Sequence, residues 1–187
     1  PSFDGEHPYM QVPFQYSLHI DYGDSRLEHI EFLADCEGDP RGALAKSLVE
    51  NIPQGAFILA YNASFEKGVM KHLGLIFPQY AEILDGFVAN TADLMIPFAQ
   101  KSYYHYDMQG SYSIKAVLPA LVPEMECAYK DLDLIHNGGE AMEVFPKLRF
   151  MDKSTRESYR NALLAYCKLD TLAMVKVVEK LKEIADL

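Results

Sequence analysis

The segment "NALLAYCKLDTLAMVKVVEKL" places a carboxylate on the apolar face of a predicted helix. The apolar residues of that face recur at spacings of three, four and seven, as on an α-helix: Leu163, Cys167, Met174, Val177 and Leu181. Asp170 falls on the same face, and Tyr166, four residues earlier, is its neighbour. Because a buried carboxylate is costly unless it is paired or bound to a metal, Asp170 is predicted to pair with Lys or Arg, to cap an element, or to bind a metal ion.

A second acid, Glu66, lies in the first turn of a helix predicted to follow a buried strand. In open α/β sheets, ligands bind beyond the carboxyl ends of the strands. An acid in a first helical turn also complements the helix dipole, and Asn62 at the strand end can stabilise the turn. Glu66 and Asn62 therefore each have a ligand-binding and a local structural interpretation.

The elements that would position these residues follow from periodicity and breaker residues. Alternation over residues 12–20 and in "LEHIEFLA" predicts a hairpin with its corner at Gly23 and Asp24. In the first strand, one set of side chains is expected to be buried and the other exposed. The buried set is Phe14, Tyr16, Leu18 and Ile20, and the exposed set is Gln15, Ser17 and His19.

The next elements alternate between helix and strand. "GDPRGALAKSLVENI" is predicted to be a helix with Asp39 at the N-cap and Pro40 at the first position. "AFILAY" has the composition of a strand covered on both faces. Ser64 is predicted to cap a further helix, "FEKGVMKHLG", that ends at Gly74. A helical "YAEILDGF" and a short, irregular or extended "VANTADLM" follow.

The C-terminal half is predicted to be mainly helical. "GSYSIKAVLPALVP" reads as a capped helix cut by Pro119 and closed by Pro123. Residues 124–152 are predicted to form a loop and a short helix, and a long helix begins near Thr155. The order of elements predicts one domain over residues 1–187, with an α/β fold in which helices flank a mixed sheet.

Composition limits the class of protein. The chain has 187 residues and no apolar run near the ~20 residues of a membrane span. Its three cysteines lack C-x-x-C spacing, which favours reduced thiols and a cytoplasmic location over a structural zinc site. The net charge of −10 argues against binding nucleic acid through a basic surface, but bound divalent cations can reverse the charge locally. The chain has no N-terminal Met, so we expect a fragment of a longer protein.

"YNASFEKGVMKHL", with the form N-x-x-F-E, and "YCKLD", with the form Y-x-x-x-D, together resemble two motifs of the DnaQ-like 3′–5′ exonucleases, in the tyrosine subgroup of the DEDD type. The matched positions are Asn62, Phe65, Glu66, Tyr166 and Asp170. "GSYSIKAVLPAL" resembles the Ser-Leu-Lys helix between them, with Ser113 and Lys115 in place. Nearly the whole chain more closely resembles an uncharacterised bacterial domain family that resembles a branch of this superfamily.

The resemblance implies a ribonuclease H-like fold and two-metal hydrolysis of DNA or RNA. Two Mg²⁺ or Mn²⁺ ions about 3.5–4 Å apart would clamp the phosphodiester, and such hard cations require oxygen ligands. Glu66 and Asp170 would then be metal ligands that converge on one pocket, and Tyr166 would orient the attacking water. Lys115 could contact phosphate or be a solvated helix lysine. Asp93 could be an additional acid or a turn residue.

The chain departs from the exonuclease pattern in two places. Glu66 stands where the family usually has Asp, and the first motif, an apolar strand with Asp-x-Glu, is not in the sequence. We therefore expect the first strand of the sheet to be missing, and little metal binding and no nuclease activity by the fragment alone. We also expect an open strand edge that could support homo-oligomers or strand exchange. Asp21 or Asp24 could replace the missing acids, or simply form the hairpin turn.

Two other functions are compatible with the same residues. The chain could be an inactive interaction module that keeps the ribonuclease H-like fold, or it could hydrolyse another phosphate ester, because the fold alone does not determine the substrate. The six histidines show no H-E-x-x-H spacing, and the chain has no G-x-S-x-G and no Walker-type loop.

Overall fold

The computed structural model describes residues 11–185. They group into two compact units. The first unit contains residues 11–16 and 32–93, and the second contains residues 17–31 and 94–185. His7 lies outside the described residues. The α/β class predicted from the sequence is confirmed, with small sheets and flanking helices.

The first unit contains three helices and a small parallel sheet. Its elements are α1 (Arg41–Asn51), β3 (Ile58–Ala60), α2 (Ser64–Ile76), α3 (Ala81–Ala89) and β4 (Thr91–Asp93). β3 and β4 pair in parallel, with Ile58 opposite Thr91 and Ala60 opposite Asp93. The connection from β3 to β4 through α2 and α3 is thus a crossover, as a parallel pair requires.

The predicted start of α1 is one residue too early, because Pro40 is the N-cap residue and Arg41 is the first helical residue. Asp39 therefore lies just before the N-cap, where its carboxylate accepts a hydrogen bond from the Arg41 backbone N–H at 3.0 Å. The Arg41 side chain is only 2% exposed, and its guanidinium lies 2.6 Å from the same carboxylate. Hydrogen bonds from Arg41 lower the pKa of Asp39, as expected for a buried cation that must be paired.

The prediction that "AFILAY" is a strand covered on both faces is wrong in extent. β3 has only three residues, of which Ala60 alone is buried, and the Phe57 side chain is 73% exposed. β4 pairs with one edge of β3, and within residues 11–185 no other strand pairs with it. An apolar run in a two-stranded sheet is covered less completely than the same run in the centre of a wide sheet.

The hairpin consists of β1 (Gln15–Asp21) and β2 (Leu27–Leu33). The chain reverses at a turn in which Asp21 Oδ1 accepts a hydrogen bond from the Gly23 N–H at 2.8 Å. Gly23 has φ +77°, a value that glycine adopts without strain. Asp24 accepts hydrogen bonds from the backbone and side chain of Arg26. Both acids therefore form the turn, which is the structural alternative to their use as metal ligands.

The prediction that the polar face of β1 is exposed is wrong. Ser17 is the one residue of β1 that is buried, although it lies on the face predicted to be solvated. Its hydroxyl lies 2.9 Å from His29 Nε2 and 2.8 Å from Thr171 Oγ1. A polar side chain can be buried at low cost when its hydrogen bonds are satisfied in this way.

The second unit is mainly helical. Its helices are α4 (Ile96–Ala99), α5 (Ile114–Leu121), α6 (Gly138–Val144) and α7 (Lys153–Ala185), and it also contains 3₁₀ turns at Tyr106–Met108, Pro123–Met125 and Phe145–Phe150. α7 begins two residues before the predicted start, where Asp152 accepts hydrogen bonds from the Ser154 and Thr155 N–H groups. None of the helices within the described residues is both long and apolar enough to cross a membrane.

Pro119 does not cut α5, contrary to the prediction from sequence. The helix continues to Leu121 and ends before Pro123. Its inner face is fully buried at Val117 and Leu118, and α5 packs on α7. Burial of this face compensates for the single backbone hydrogen bond that a proline removes from a helix.

Candidate functional site

Asp170 lies in a cluster of the second unit that also contains Tyr166, Tyr129 and Lys115, here called the Asp170 cluster. The Tyr129 hydroxyl donates a hydrogen bond to Asp170 Oδ1 at 2.8 Å. Tyr166, one helical turn before Asp170, also lies beside the carboxylate, and this interaction acts to lower the pKa of Asp170. Asp170 thus accepts a hydrogen bond from one phenol and neighbours a second, instead of pairing with the Lys or Arg of the structural interpretation.

Lys115 provides the positive charge of this cluster. Its Nζ lies 5.3 Å from the centroid of the Tyr129 ring and 5.8 Å from that of Tyr166. Nζ also donates a hydrogen bond to the His136 carbonyl oxygen at 2.7 Å. An ammonium group within about 6 Å of an aromatic face is attracted by the ring quadrupole. Lys115 is therefore held over both rings, although its side chain is exposed.

Burial dominates the protonation equilibria of the Asp170 cluster. It raises the pKa of the Asp170 carboxyl, although the hydrogen bond from Tyr129, the neighbouring Tyr166 and the charge of Lys115 act in the opposite direction. Burial and the Asp170 charge also raise the pKa of both phenols. Both tyrosines therefore stay protonated near neutral pH and act as hydrogen-bond donors, not as bases.

A network of polar side chains links α7 to the hairpin beside the Asp170 cluster. Thr171 Oγ1 lies 2.8 Å from both Ser17 Oγ and His19 Nδ1. The rings of His19 and His29 are 4.7 Å apart. Burial, then His29 and Lys168, lowers the pKa of His19 to about 4. This contact fixes the turn of α7 that carries Asp170.

Glu66 occupies a different environment, in the first unit. It lies in the first turn of α2 and is partly buried. Its Oε2 atom is fully buried and accepts no hydrogen bond from any group within residues 11–185. Burial and the charge of Asp93 raise the pKa of Glu66. An unpartnered buried carboxylate oxygen is a free position for a proton or a cation.

Asp93 holds the turn before α2. Its two carboxylate oxygens accept hydrogen bonds from the backbone N–H groups of Asn62 and Ala63, each at 3.0 Å. Asn62 has φ +64°, a left-handed conformation that asparagine tolerates better than most residues. Its Oδ1 accepts a hydrogen bond from the Ser64 hydroxyl at 3.0 Å. The structural interpretations of Asp93 and Asn62 are therefore confirmed, which leaves substrate contact by Asn62 a prediction.

The donor atoms only partly fit a divalent metal ion. The free Oε2 of Glu66 and the second oxygen of Asp170 are the hard oxygen ligands that Mg²⁺ and Mn²⁺ prefer. However, the described residues contain no group of three or more His, Cys, Asp or Glu that could hold such an ion. Glu66 and Asp170 belong to different units, so their convergence on one pocket stays a prediction.

Tyr166, Asp170 and Lys115 are the predicted site residues that the structure brings together. Tyr129 was missed by the sequence analysis. It lies 41 residues before Asp170, in an irregular segment without periodicity, so no local pattern could have identified it.

Comparison with known proteins gives a family and a relative. A family model described as "Domain of unknown function (DUF2779)" matches residues 1–113, which is more than half of the chain. That match includes Asn62 and Glu66 but ends before Lys115, Tyr166 and Asp170. The resemblance to the DnaQ-like exonucleases therefore stays a prediction.

The chain is also similar to "Uncharacterized protein UU173" of Ureaplasma parvum serovar 3. The two sequences are 24% identical over 203 residues, an alignment that covers 98% of this chain. It covers 29% of the relative, so the chain spans less than a third of that protein's length. No solved structure matches the chain significantly.

Proposed function

We propose that this chain, which belongs to the DUF2779 family, forms a metal-dependent 3′–5′ exonuclease-like domain that hydrolyses phosphodiester bonds of DNA or RNA. The observation that carries the proposal is the Asp170 cluster. Tyr166 and Asp170, matched to one exonuclease motif, and Lys115, matched to another, lie together although 51 residues separate Lys115 from Tyr166 in sequence. If these three residues matched the exonuclease motifs only by chance, they would not be expected to lie in one polar cluster.

Each residue of the proposed site has a role that its surroundings support. Asp170 and Glu66 would bind metal through carboxylate oxygens that are not both engaged. Tyr166, whose hydroxyl stays protonated and can donate a hydrogen bond, would orient the attacking water or a phosphate oxygen. Lys115 would contact substrate phosphate, and Asn62 would contact substrate near the start of α2. When bound, Mg²⁺ or Mn²⁺ would activate the water and stabilise the leaving oxygen.

The test is manganese-dependent degradation of a 5′-labelled oligonucleotide by the full-length protein. We expect products shortened stepwise from the 3′ end, and loss of at least about 100-fold in rate in Asp170→Asn, since a lost metal ligand removes most of the catalysis. Tyr166→Phe should lose less. Equal rates in wild type and Asp170→Asn, or no degradation by either, would overturn the proposal.

A second candidate function is favoured by the charge and by the incomplete ligand set. The domain could bind nucleic acid or protein without hydrolysis, since the described residues hold no three-ligand group and the net charge is −10. Oligonucleotide binding with no degradation at any Mn²⁺ concentration would support this function. The three free cysteines favour the reducing cytoplasm as the location in either case.

A further inference from the structure

A row of exposed aromatic side chains lies in the second unit, between α4 and α5. Tyr104 is 56% exposed and Tyr106 is 74% exposed, and the His105 ring stacks on Tyr106 with centroids 4.8 Å apart. Tyr112, at the end of the segment, is half exposed. We call residues 103–112 the tyrosine loop. Burying such large rings is favourable, so their exposure suggests a surface that a ligand covers.

The tyrosine loop is anchored to its unit. Tyr103 packs edge-on against buried Phe98, with ring centroids 6.0 Å apart. Met108 is buried, and the loop is closed by backbone hydrogen bonds such as Met108 N–H to the His105 carbonyl. Because both ends are fixed, the exposed rings are presented in a defined position, and binding would not require the loop to be ordered first.

The charge around this loop differs from that of the whole chain. Residues 94–115 contain two lysines, Lys101 and Lys115, and one acid, Asp107. The chain has 27 acids in 187 residues, a density that would place about three in a segment of this length. This segment is therefore poorer in acids than the chain as a whole, which favours an anionic ligand over a cationic one.

The 3₁₀ turn of the tyrosine loop also packs on α5, the helix that carries Lys115 of the Asp170 cluster. Rings with exposed faces, neighbouring lysines and a depletion of acids are the features of a surface that stacks bases of single strands. A protein partner would also use tyrosines, but it gives no reason for the depletion of acids.

We propose that the tyrosine loop is a binding site for single-stranded nucleic acid, in which bases stack on Tyr104 and Tyr106. Every nucleobase has a π face, so the site would show little sequence preference. One consequence of this proposal rests on the proposed function, namely that the strand bound at the tyrosine loop is the substrate of the Asp170 cluster. The binding itself is independent of hydrolysis.

The test measures fluorescence anisotropy of a labelled oligothymidylate of about 12 nucleotides, with the full chain and EDTA present so that no hydrolysis occurs. We expect Tyr104→Ala and Tyr106→Ala each to weaken binding about tenfold. Tyr104→Phe and Tyr106→Phe should bind like wild type, since phenylalanine preserves the stacking face. An abasic oligonucleotide of equal length has no bases to stack. Wild type should therefore bind it only as weakly as the variant with both Tyr104→Ala and Tyr106→Ala binds the oligothymidylate.

Phe150→Ala is the matched control, because Phe150 is 78% exposed in the same unit but lies outside the loop. It should bind like wild type. Equal binding by wild type and both alanine variants would overturn the proposal, and so would absence of binding by wild type, which would leave the rings as a protein contact. Binding that depends on the tyrosines, without degradation when Mn²⁺ is added, would support the loop and overturn only the proposed hydrolysis.

Discussion

Glu66 and Asp170 are both partly buried acids, but the groups that face them are opposite in kind. Asp170 accepts a hydrogen bond from Tyr129 and lies near Tyr166 and a lysine. Glu66 has a buried oxygen without a partner and a like-charged neighbour, Asp93. Burial raises the pKa of both carboxyls, yet only one of them is compensated. The comparison shows that two partly buried carboxyls can both have a raised pKa and yet differ in whether hydrogen-bond donors face them.

The largest effect on stability is expected from Asp170→Ala. The substitution leaves the buried Tyr129 hydroxyl without its acceptor and removes the carboxylate beside Tyr166, which should lower the free energy of unfolding by about 2–3 kcal/mol. Asp170→Asn is the control, because its amide oxygen can still accept the hydrogen bond from Tyr129. Urea denaturation in EDTA measures both, and equal losses would show that the phenols do not depend on Asp170.

The next largest effect on stability is expected at Tyr129, the hydrogen-bond partner of Asp170 that the sequence did not identify. Tyr129→Phe removes the 2.8 Å hydrogen bond to Asp170 and should lower the free energy of unfolding by about 1–2 kcal/mol. Tyr106→Phe removes an equivalent hydroxyl from a ring that is largely exposed, and we expect no change. If both variants unfold at the same urea concentration, the Tyr129 contact contributes nothing to the cluster.

Glu66→Gln should change stability in the opposite direction. The raised pKa of Glu66 means that its charge opposes folding, so stability falls as pH rises from the unfolded value of 4.5 through the folded pKa. The variant removes this loss and should be more stable at pH 7, by less than about 1 kcal/mol because the side chain is partly solvated. Glu82→Gln, at an exposed first-turn acid of α3, should instead be slightly destabilised. A destabilised Glu66→Gln would show that Glu66 has a partner after all.

The last effect concerns the hairpin contact beside Asp170 and is seen only as a function of pH. His19 faces His29 and Lys168 and is bonded to Thr171. Its pKa falls from 6.5 to about 4 on folding, so the unfolded chain binds more protons between these values. Stability should therefore fall as pH drops from 6.5 to 4. His19→Gln should flatten this part of the curve, and an unchanged slope would assign the pH dependence to other groups.

The pattern of elements was largely predictable, because local forces act within a few residues of each helix end. The starts of α1 and α2, each within one residue of the prediction, and the long helix α7 follow from neighbouring residues. The predicted cut at Pro119 and the full burial of "AFILAY" were wrong because tertiary packing decided both. Packing of α5 on α7 outweighs a single missing hydrogen bond, and a strand is buried only as far as its sheet extends.

By itself, the sequence determined that Asp170 lies on the inner face of a helix with Tyr166 beside it, since a period of 3.6 residues places them there. It also determined that Glu66 begins a helix after a strand. Only the tertiary structure decided that Tyr129 bonds to Asp170, that Ser17 is buried, and that Glu66 retains a free oxygen. These contacts join segments far apart in the chain, and no local periodicity encodes which distant side chain will satisfy a buried polar atom.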